Sequence, residues 1–333
     1  MITVIGGHGQ VGAHAVAQLR AWGAGPLRVG GRTAPDRVDA LDPAGLAAFC
    51  AGATTVLNCA GPAAVIGSRV ARAAHAAGAR YVDASGDDAL HAELSRLAGP
   101  WTAVVSAGMM PGLSGLLPHV LLSGFPEAET LTGYVGGRDT ITEVAAVDYL
   151  GADAYGEAMA AWRGDRRVPG ALRTRQAVQV PFYPEPITAV PYLSTETERV
   201  ARRHGLREVE WYSAYAGNRV LAALYGRPSA DELRAAAELD AFGHERYQLL
   251  VLTASSDDES RSLVLRGTGA SALTGTAAAL ATWAVEQGDV PPGVWHLAEI
   301  PHGPSQILDR LAGCAAVVAC DLHVDAGVEE GVL

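Results

Sequence analysis

Apolar and polar positions alternate along the first third of the chain on two length scales. Short runs at residues 2–5, 26–29, 38–42, 54–59, 80–83 and 103–106 are almost wholly apolar or β-branched and read as buried strands. Between them, 13–19, 44–49, 67–77, 91–97 and 113–121 carry helical spacing, and Asp42 before Pro43 caps one of these helices. Strands that are apolar on both faces and separated by helices predict a doubly wound parallel sheet of Rossmann type. From about Glu127 the pattern changes. Residues 130–135, 178–181, 208–214 and 247–255 read as strands of a mainly antiparallel sheet, with helices at 144–162, 230–242, 276–286 and 305–312. The long helix at 144–162 is expected to start from a capping box at Thr140 and Glu143. Four prolines, Pro181, Pro184, Pro186 and Pro191, exclude a regular helix there and suggest a lid or crossing loop.

At 333 residues the chain is long for one core and suits two domains. The expected division is α/β: a Rossmann domain over 1–125, a second α+β domain over 126–301 for substrate or oligomerisation, and a segment 302–333 that returns to the first, with 301–304 as the crossing. His302 in that crossing is a weak candidate for facing a cleft. A hydrophobic share of 49% supports a large core, and a net charge of −11 argues against a general nucleic-acid surface. No lysine occurs, so all 25 basic residues are arginine. That excludes Schiff-base chemistry, a P-loop lysine and the Tyr-x-x-x-Lys proton relay. Cys50, Cys59, Cys314 and Cys320 have neither zinc spacing nor disulfide density, no His/Cys/Asp/Glu cluster implies a metal, and the amino terminus has no basic leader. A reducing cytoplasm is therefore expected. The apolar stretch 101–122 is broken by Gly108, Pro111, Gly112, Gly115 and Pro118 and reads as strand, loop and helix rather than a membrane span.

Candidate chemistry starts at the first strand, which breaks into Gly7, Gly9 and Gly12 with Gln10 and Val11 between. Gly7 permits a tight turn, Gly9 lets backbone N–H groups approach a pyrophosphate, and Gly12 lets the helix sit close to the strand. About 20 residues on, where an acid would bind a ribose 2′-hydroxyl, stand Arg32 and Thr33. A guanidinium there suits a 2′-phosphate, so NADPH (NADP+) is the expected cofactor. The small turns Ala60-Gly61-Pro62 and Ser85 would border the nicotinamide. Met109, Met110, Pro111 and Gly112 precede a helix whose free N–H groups could bind an anionic substrate or polarise a carbonyl. Tyr149 and Asp148 are the candidate proton donors. His119 reads as structural. Arg163, Arg166, Arg167, Arg173 and Arg175 form either a solvated basic loop or a carboxylate clamp.

The turn Asn58 to Pro62, the helix ending at Gly78, the run Tyr81-Val-Asp83-Ala-Ser-Gly86 and Gly108-Met-Met-Pro-Gly-Leu-Ser-Gly115 together resemble saccharopine dehydrogenase-like reductases. The likeness is strong over the first third and fainter near the carboxyl terminus. It implies NAD(P)-dependent reduction or oxidation at a carbon of a small molecule, while the charge and the broken apolar stretch lead to no expected nucleic-acid or membrane partner. The centre is often a C=N bond of an amino-acid-derived compound or a secondary metabolite. A carbonyl or enoyl acceptor, a carrier-bound substrate and a non-catalytic NADP(H) sensor are the alternatives. A homo-oligomer, a dimer, is also expected.

Overall fold

The first strand, β1 (Ile2–Ile5), is buried at every position and anchors the computed structural model, which describes residues 1–33, 35–97, 99–151, 155–300 and 304–326. It leads to α1 (Gln10–Ala21), β2 (Leu27–Gly30), α2 (Pro43–Cys50), β3 (Thr55–Asn58), α3 (Ala63–Ile66), α4 (Arg69–Ala76), β4 (Arg80–Asp83), α5 (Asp88–Leu94), β5 (Thr102–Val105) and α6 (Leu113–Ser123). Then follow β6 (Thr130–Arg138), α7 (Glu143–Leu150), β7 (Gly156–Ala158), β8 (Ala161–Arg163), β9 (Arg166–Val168), β10 (Arg175–Val178), β11 (Ile187–Ser194), α8 (Thr195–His204), β12 (Glu208–Tyr215), α9 (Arg219–Tyr225), α10 (Ala230–Ala241), β13 (Tyr247–Ser255) and β14 (Glu259–Gly267). The chain closes with α11 (Ala270–Gln287), β15 (Gly293–His296), α12 (Pro304–Ala312) and β16 (Val317–Ala326). No described helix is long and apolar enough to cross a membrane.

Two sheets result. The six-stranded sheet, ordered β15-β5-β4-β3-β1-β2, is parallel throughout. Its side chains alternate between two cores, as a doubly wound sheet requires. Ile2, Val4, Leu57, Val82 and Val104 face α1, α6 and α11, while Ile5, Val56, Tyr81, Ala103 and Val105 face α2, α4 and α5. The larger sheet runs β10-β11-β12-β6-β13-β14-β16 and is antiparallel except for β12 beside β6. Its inner face, with Leu131, Val135, Trp211, Leu250 and Leu263, joins the same core as α6 and α11, so one hydrophobic core links both sheets. The fold is thus a Rossmann-type parallel sheet plus a second α+β unit with a mainly antiparallel sheet.

Four expectations change. No strand forms at 38–42; only Gly31 bridges Arg37. The helix expected over 144–162 stops at Leu150, because Gly151 ends it and Gly156 enters a strand where a Cβ would strike Leu193 O. Its cap is Thr142, whose hydroxyl accepts from Ala145 N at 3.0 Å, rather than Thr140. The return to the parallel sheet is made by α11 and β15, ahead of residue 302, while β16 pairs with β14 in the larger sheet. The reason is packing: α11 presents Gly275 to α1, where a Cβ would stand 2.6 Å from Val11 O, and Glu286 at its end accepts from Arg80 at 2.8 Å and Thr54 at 3.1 Å. His302 lies outside the described residues.

Candidate functional site

The connection from β1 leads to β2 on one side and the next strand, β3, lies on the other, so the carboxyl ends of β1 and β3 diverge at a topological switch point. Gly6 turns the chain there with φ of 75°, and a Cβ on it would lie 2.7 Å from Ala60 N. A Cβ on Gly12 would overlap Gly6 O, and one on Gly7 would overlap the Val29 side chain. Glycine is therefore required at all three positions for α1 to start tight against the loop. Gly9 is the N-cap of α1 without a side-chain cap. The N–H groups of Gln10, Val11 and Gly12 find no acceptor among the described residues, whereas Ala13 N already donates to Gly9 O at 2.8 Å. Gly6 was not among the residues expected from the sequence, although its doubling with Gly7 is the visible signal.

Arg32 and Thr33 follow β2 at the same edge and are exposed. Arg32 has no hydrogen bond or ion pair among the described residues, so its guanidinium is free to meet an anion. Across the switch point, a buried network shapes the turns after β3 and β4. Asp83 Oδ1 accepts from the N–H and the hydroxyl of Ser85, both at 2.9 Å, and Oδ2 accepts from Asn58 at 3.2 Å and from the Tyr81 hydroxyl. Burial pushes the Asp83 carboxyl up, and these four donors pull it back. Asn58 Oδ1 accepts from Ala60 N at 3.1 Å, which holds the Ala60-Gly61-Pro62 turn.

Helix α7 of the second unit lies over that turn. Val144 leaves no room for a Cβ on Gly61, and Asp148 Oδ1 accepts from Ala63 N at 2.8 Å. Burial raises the Asp148 carboxyl and the Ala63 N–H opposes the rise. Its neighbour Tyr149 instead bonds Tyr215 on β12 through the two hydroxyls. The two candidate proton donors thus have separate partners, as adjacent helical positions about 100° apart dictate. Sequence reasoning missed Tyr155, which lies within electrostatic reach of Asp87, Asp148 and Asp83. Burial first, then these carboxylates, push its hydroxyl above the ordinary tyrosine range, so it keeps its proton. It makes no hydrogen bond among the described residues. Hidden inside an apparent long helix, it gave no signal.

The loop after β5 differs most from expectation. Met109 is half-buried and Met110 is 39% exposed, but the α6 N-terminus is not open. Gly112 N donates to Glu196 Oε1 at 2.8 Å and the Ser114 hydroxyl donates to Oε2. The anion at this helix end is the protein's own carboxylate. Gly115 makes room for it, since a Cβ there would stand 2.6 Å from Glu196 Cδ. Burial lifts Glu196 to about 7, against the pull of Ser114, Arg199 and Gly112 N–H.

Beside it, Ser106, His296 and Asp88 form a chain: Ser106 Oγ to His296 Nδ1 at 2.9 Å, and His296 Nε2 to Asp88 Oδ1 at 3.2 Å. Ser106 is 1% exposed and also contacts Gly86 O at 3.1 Å, so the arrangement lacks the open nucleophile that acyl transfer needs. It serves as a clamp. Arg199 on α8 joins it by reaching Asp88 at 2.6 Å and Glu299 at 2.9 Å. The basic loop is likewise held internally: Arg163 and Arg175 meet Glu210, Arg167 meets Glu198, and Arg173 donates to Gly170 O. Only Arg166 of that set extends exposed on β9 without a partner among the described residues. His119 pairs with His204 at 2.8 Å.

No protein-family model and no curated protein matches the chain. Among solved structures, the fold is that of saccharopine dehydrogenase (L-Glu forming) from Saccharomyces cerevisiae, at 14% identity and a TM-score of 0.68 over 98% of this chain and 99% of that one. A probable dehydrogenase from Thermotoga maritima is more distant, with 10% identity and a TM-score of 0.47 over 93% and 94% of the two chains.

Proposed function

We propose that the crevice at the carboxyl ends of β1 and β3 binds NADP(H), and that the chain is an oxidoreductase reducing a C=N bond of an amino-acid-derived small molecule. The observation that carries this reading is the free N–H set of Gln10, Val11 and Gly12 at the start of α1, beside glycine surfaces that side chains would fill. These N–H groups would hold the pyrophosphate, Arg32 and Thr33 the 2′-phosphate, and Ala60, Gly61, Pro62 and Ser85 the nicotinamide side. The cofactor supplies a hydride when bound. The protein's own task is to orient the acceptor, exclude water and deliver a proton. Asp148, engaged at Ala63 N, is assigned the role of holding α7 over the crevice, and Tyr149 that of bracing α7 on β12. Tyr155, protonated and without a hydrogen-bond partner among the described residues, becomes the donor facing the substrate, with Met109 and Met110 at the acceptor's flank. The shared fold with an L-glutamate-forming saccharopine dehydrogenase supports an amino-acid-derived substrate. The protein works as a homodimer in a reducing compartment.

The test is a parallel fluorescence titration with NADPH and NADH, with Arg32→Ala beside the wild type. NADPH affinity is expected to fall by roughly tenfold or more in the variant while NADH affinity stays unchanged. Equal affinities in the wild type would overturn the 2′-phosphate assignment, and no binding of either would overturn the oxidoreductase reading. Imines, oxo acids and enones then follow as acceptors. Tight binding without turnover of any of them would move the reading to a sensor.

A further inference from the structure

Among the described residues, three of the four strands that end the two main strand paths are short, as are β7 and β9 off the path with three residues each. Strands β2, β15 and β10 have four residues each, and β10 pairs irregularly with β11 and carries Arg175. The fourth, β16, runs for ten residues in near-regular antiparallel register with β14, and its far side has no strand partner among the described residues. Natural edge strands are shortened, bulged or charged because a long row of open N–H and C=O groups recruits another strand. β16 is irregular only at Val318 and carries the exposed acid Asp321, yet it keeps its full length and presents apolar side chains to the outside. Val318 is 61% exposed, Leu322 50% and Val324 57%.

We propose that β16 is the dimer interface: a second copy of the chain adds its own β16 antiparallel to this one, joining the two large sheets across a two-fold axis through Leu322. The proposal rests on the homodimer reading above and specifies its surface. Charge pattern selects both the occupant and the register. In an antiparallel pair centred on Leu322, each residue i faces residue 644 − i of the other copy, a sum that follows from Leu322 meeting itself. Asp321 then faces His323 of the second copy, twice by symmetry, and an imidazole N–H can donate to the carboxylate in either charge state. On the opposite face Leu322 meets Leu322 and Cys320 meets Val324. A shift of the axis by one residue to Asp321 would put two carboxylates face to face, so the register is specified. The outer face is already built up near the axis. Phe182, 44% exposed, stands against His323 with ring centres 4.8 Å apart, which adds an apolar wall beside the Asp321–His323 pairs.

Sedimentation velocity on the full chain tests this, with thermal unfolding of each variant as the control for folding. The wild type is expected to be a dimer at micromolar concentration. Leu322→Lys, which sets two ammonium groups on the axis, and Asp321→Arg, which faces a histidine, should each weaken association by roughly tenfold or more. His323→Asp should do the same by opposing two acids. The double variant Asp321→Arg/His323→Asp should recover most of the affinity, since the pairs return with their signs exchanged. A monomer up to about 100 μM would overturn both the homodimer reading and this interface. A dimer indifferent to Leu322→Lys would overturn the interface alone. A chain truncated after Ala326 that dimerises where the full chain does not would also overturn it, by showing that residues 327–333 cover the edge.

Discussion

Glu196 shows how one residue can redirect the chemistry of a site. The loop Gly108 to Gly112 precedes a helix whose N–H groups would suit an anionic ligand, and a carboxylate does sit there, but from within the chain at Gly112 N and Ser114 Oγ. Nothing near Gly112 in the sequence announces a residue 84 positions later, whereas Gly115 is the small residue that admits it. The consequence is measurable. Its carboxyl sits near 7 in the folded chain against about 4.5 unfolded, so the native state holds the proton more tightly. Stability from this group is therefore complete below about pH 4.5 and is lost as pH rises through about 7, on the order of 3 kcal/mol across that window. Glu196→Gln, which keeps an acceptor for Gly112 N, should flatten the fall in melting temperature between pH 5 and 8. An unchanged slope would show that Glu196 is not its source. Asp148 and Tyr149 give the same lesson: the residue types were legible, but their partners, Ala63 N and Tyr215, were not.

At the level of elements, periodicity located most strands and helices because each buries one face or both. It failed where the partner decides the outcome. Residues 156–163 have helix-compatible composition, yet Gly156 pairs with Ser194 across β11 and Trp162 is buried with its indole donating to Leu206 O at 3.0 Å, so tertiary pairing makes strands of them. The alanine-rich α11 was visible as a helix, but its small residues fit equally well against either sheet in principle. Only the approach of Gly275 to Val11 O and the His14 Cβ shows that it lies on α1. Gly275→Leu should force the two helices apart, destabilise the protein by about 1–3 kcal/mol or more and weaken dinucleotide binding by shifting the start of α1. Wild-type melting temperature in this variant would rule out so tight a contact. A loss of stability with unchanged cofactor affinity would separate packing from the site.

Across the whole molecule, the two sheets are joined by one core through α6 and α11 and by the polar clamp at Arg199. That arginine, 26% exposed, holds Asp88 of the first unit together with Glu299. Hydrogen bonds from His296 and Thr195, with Arg199 beside them, hold the Asp88 carboxyl well below the usual range. Its sign is opposite to that of Glu196: the contribution is present above the unfolded carboxylate pKa and disappears as pH falls through the lower folded value. Arg199→Ala should cost about 1–2 kcal/mol near neutral pH, a melting shift of a few degrees, and weaken the acid limb of the stability profile. Hydrogen exchange should quicken at α5 and α8 together. Quickening at α8 alone would show that the clamp does not couple the units.

The glycine spacing, the strand and helix periods and the absence of lysine are local or compositional properties, so the doubly wound parallel sheet, the change to an antiparallel pattern and the position of the glycine turn could be read from the chain directly. The return of α11 and β15 to the parallel sheet, the Glu196 carboxylate under α6, the separate partners of Asp148 and Tyr149 and the exposed length of β16 depend on residues roughly 50 to 260 positions apart meeting in space. Such meetings are selected by shape and desolvation summed over the whole core, which no local period records.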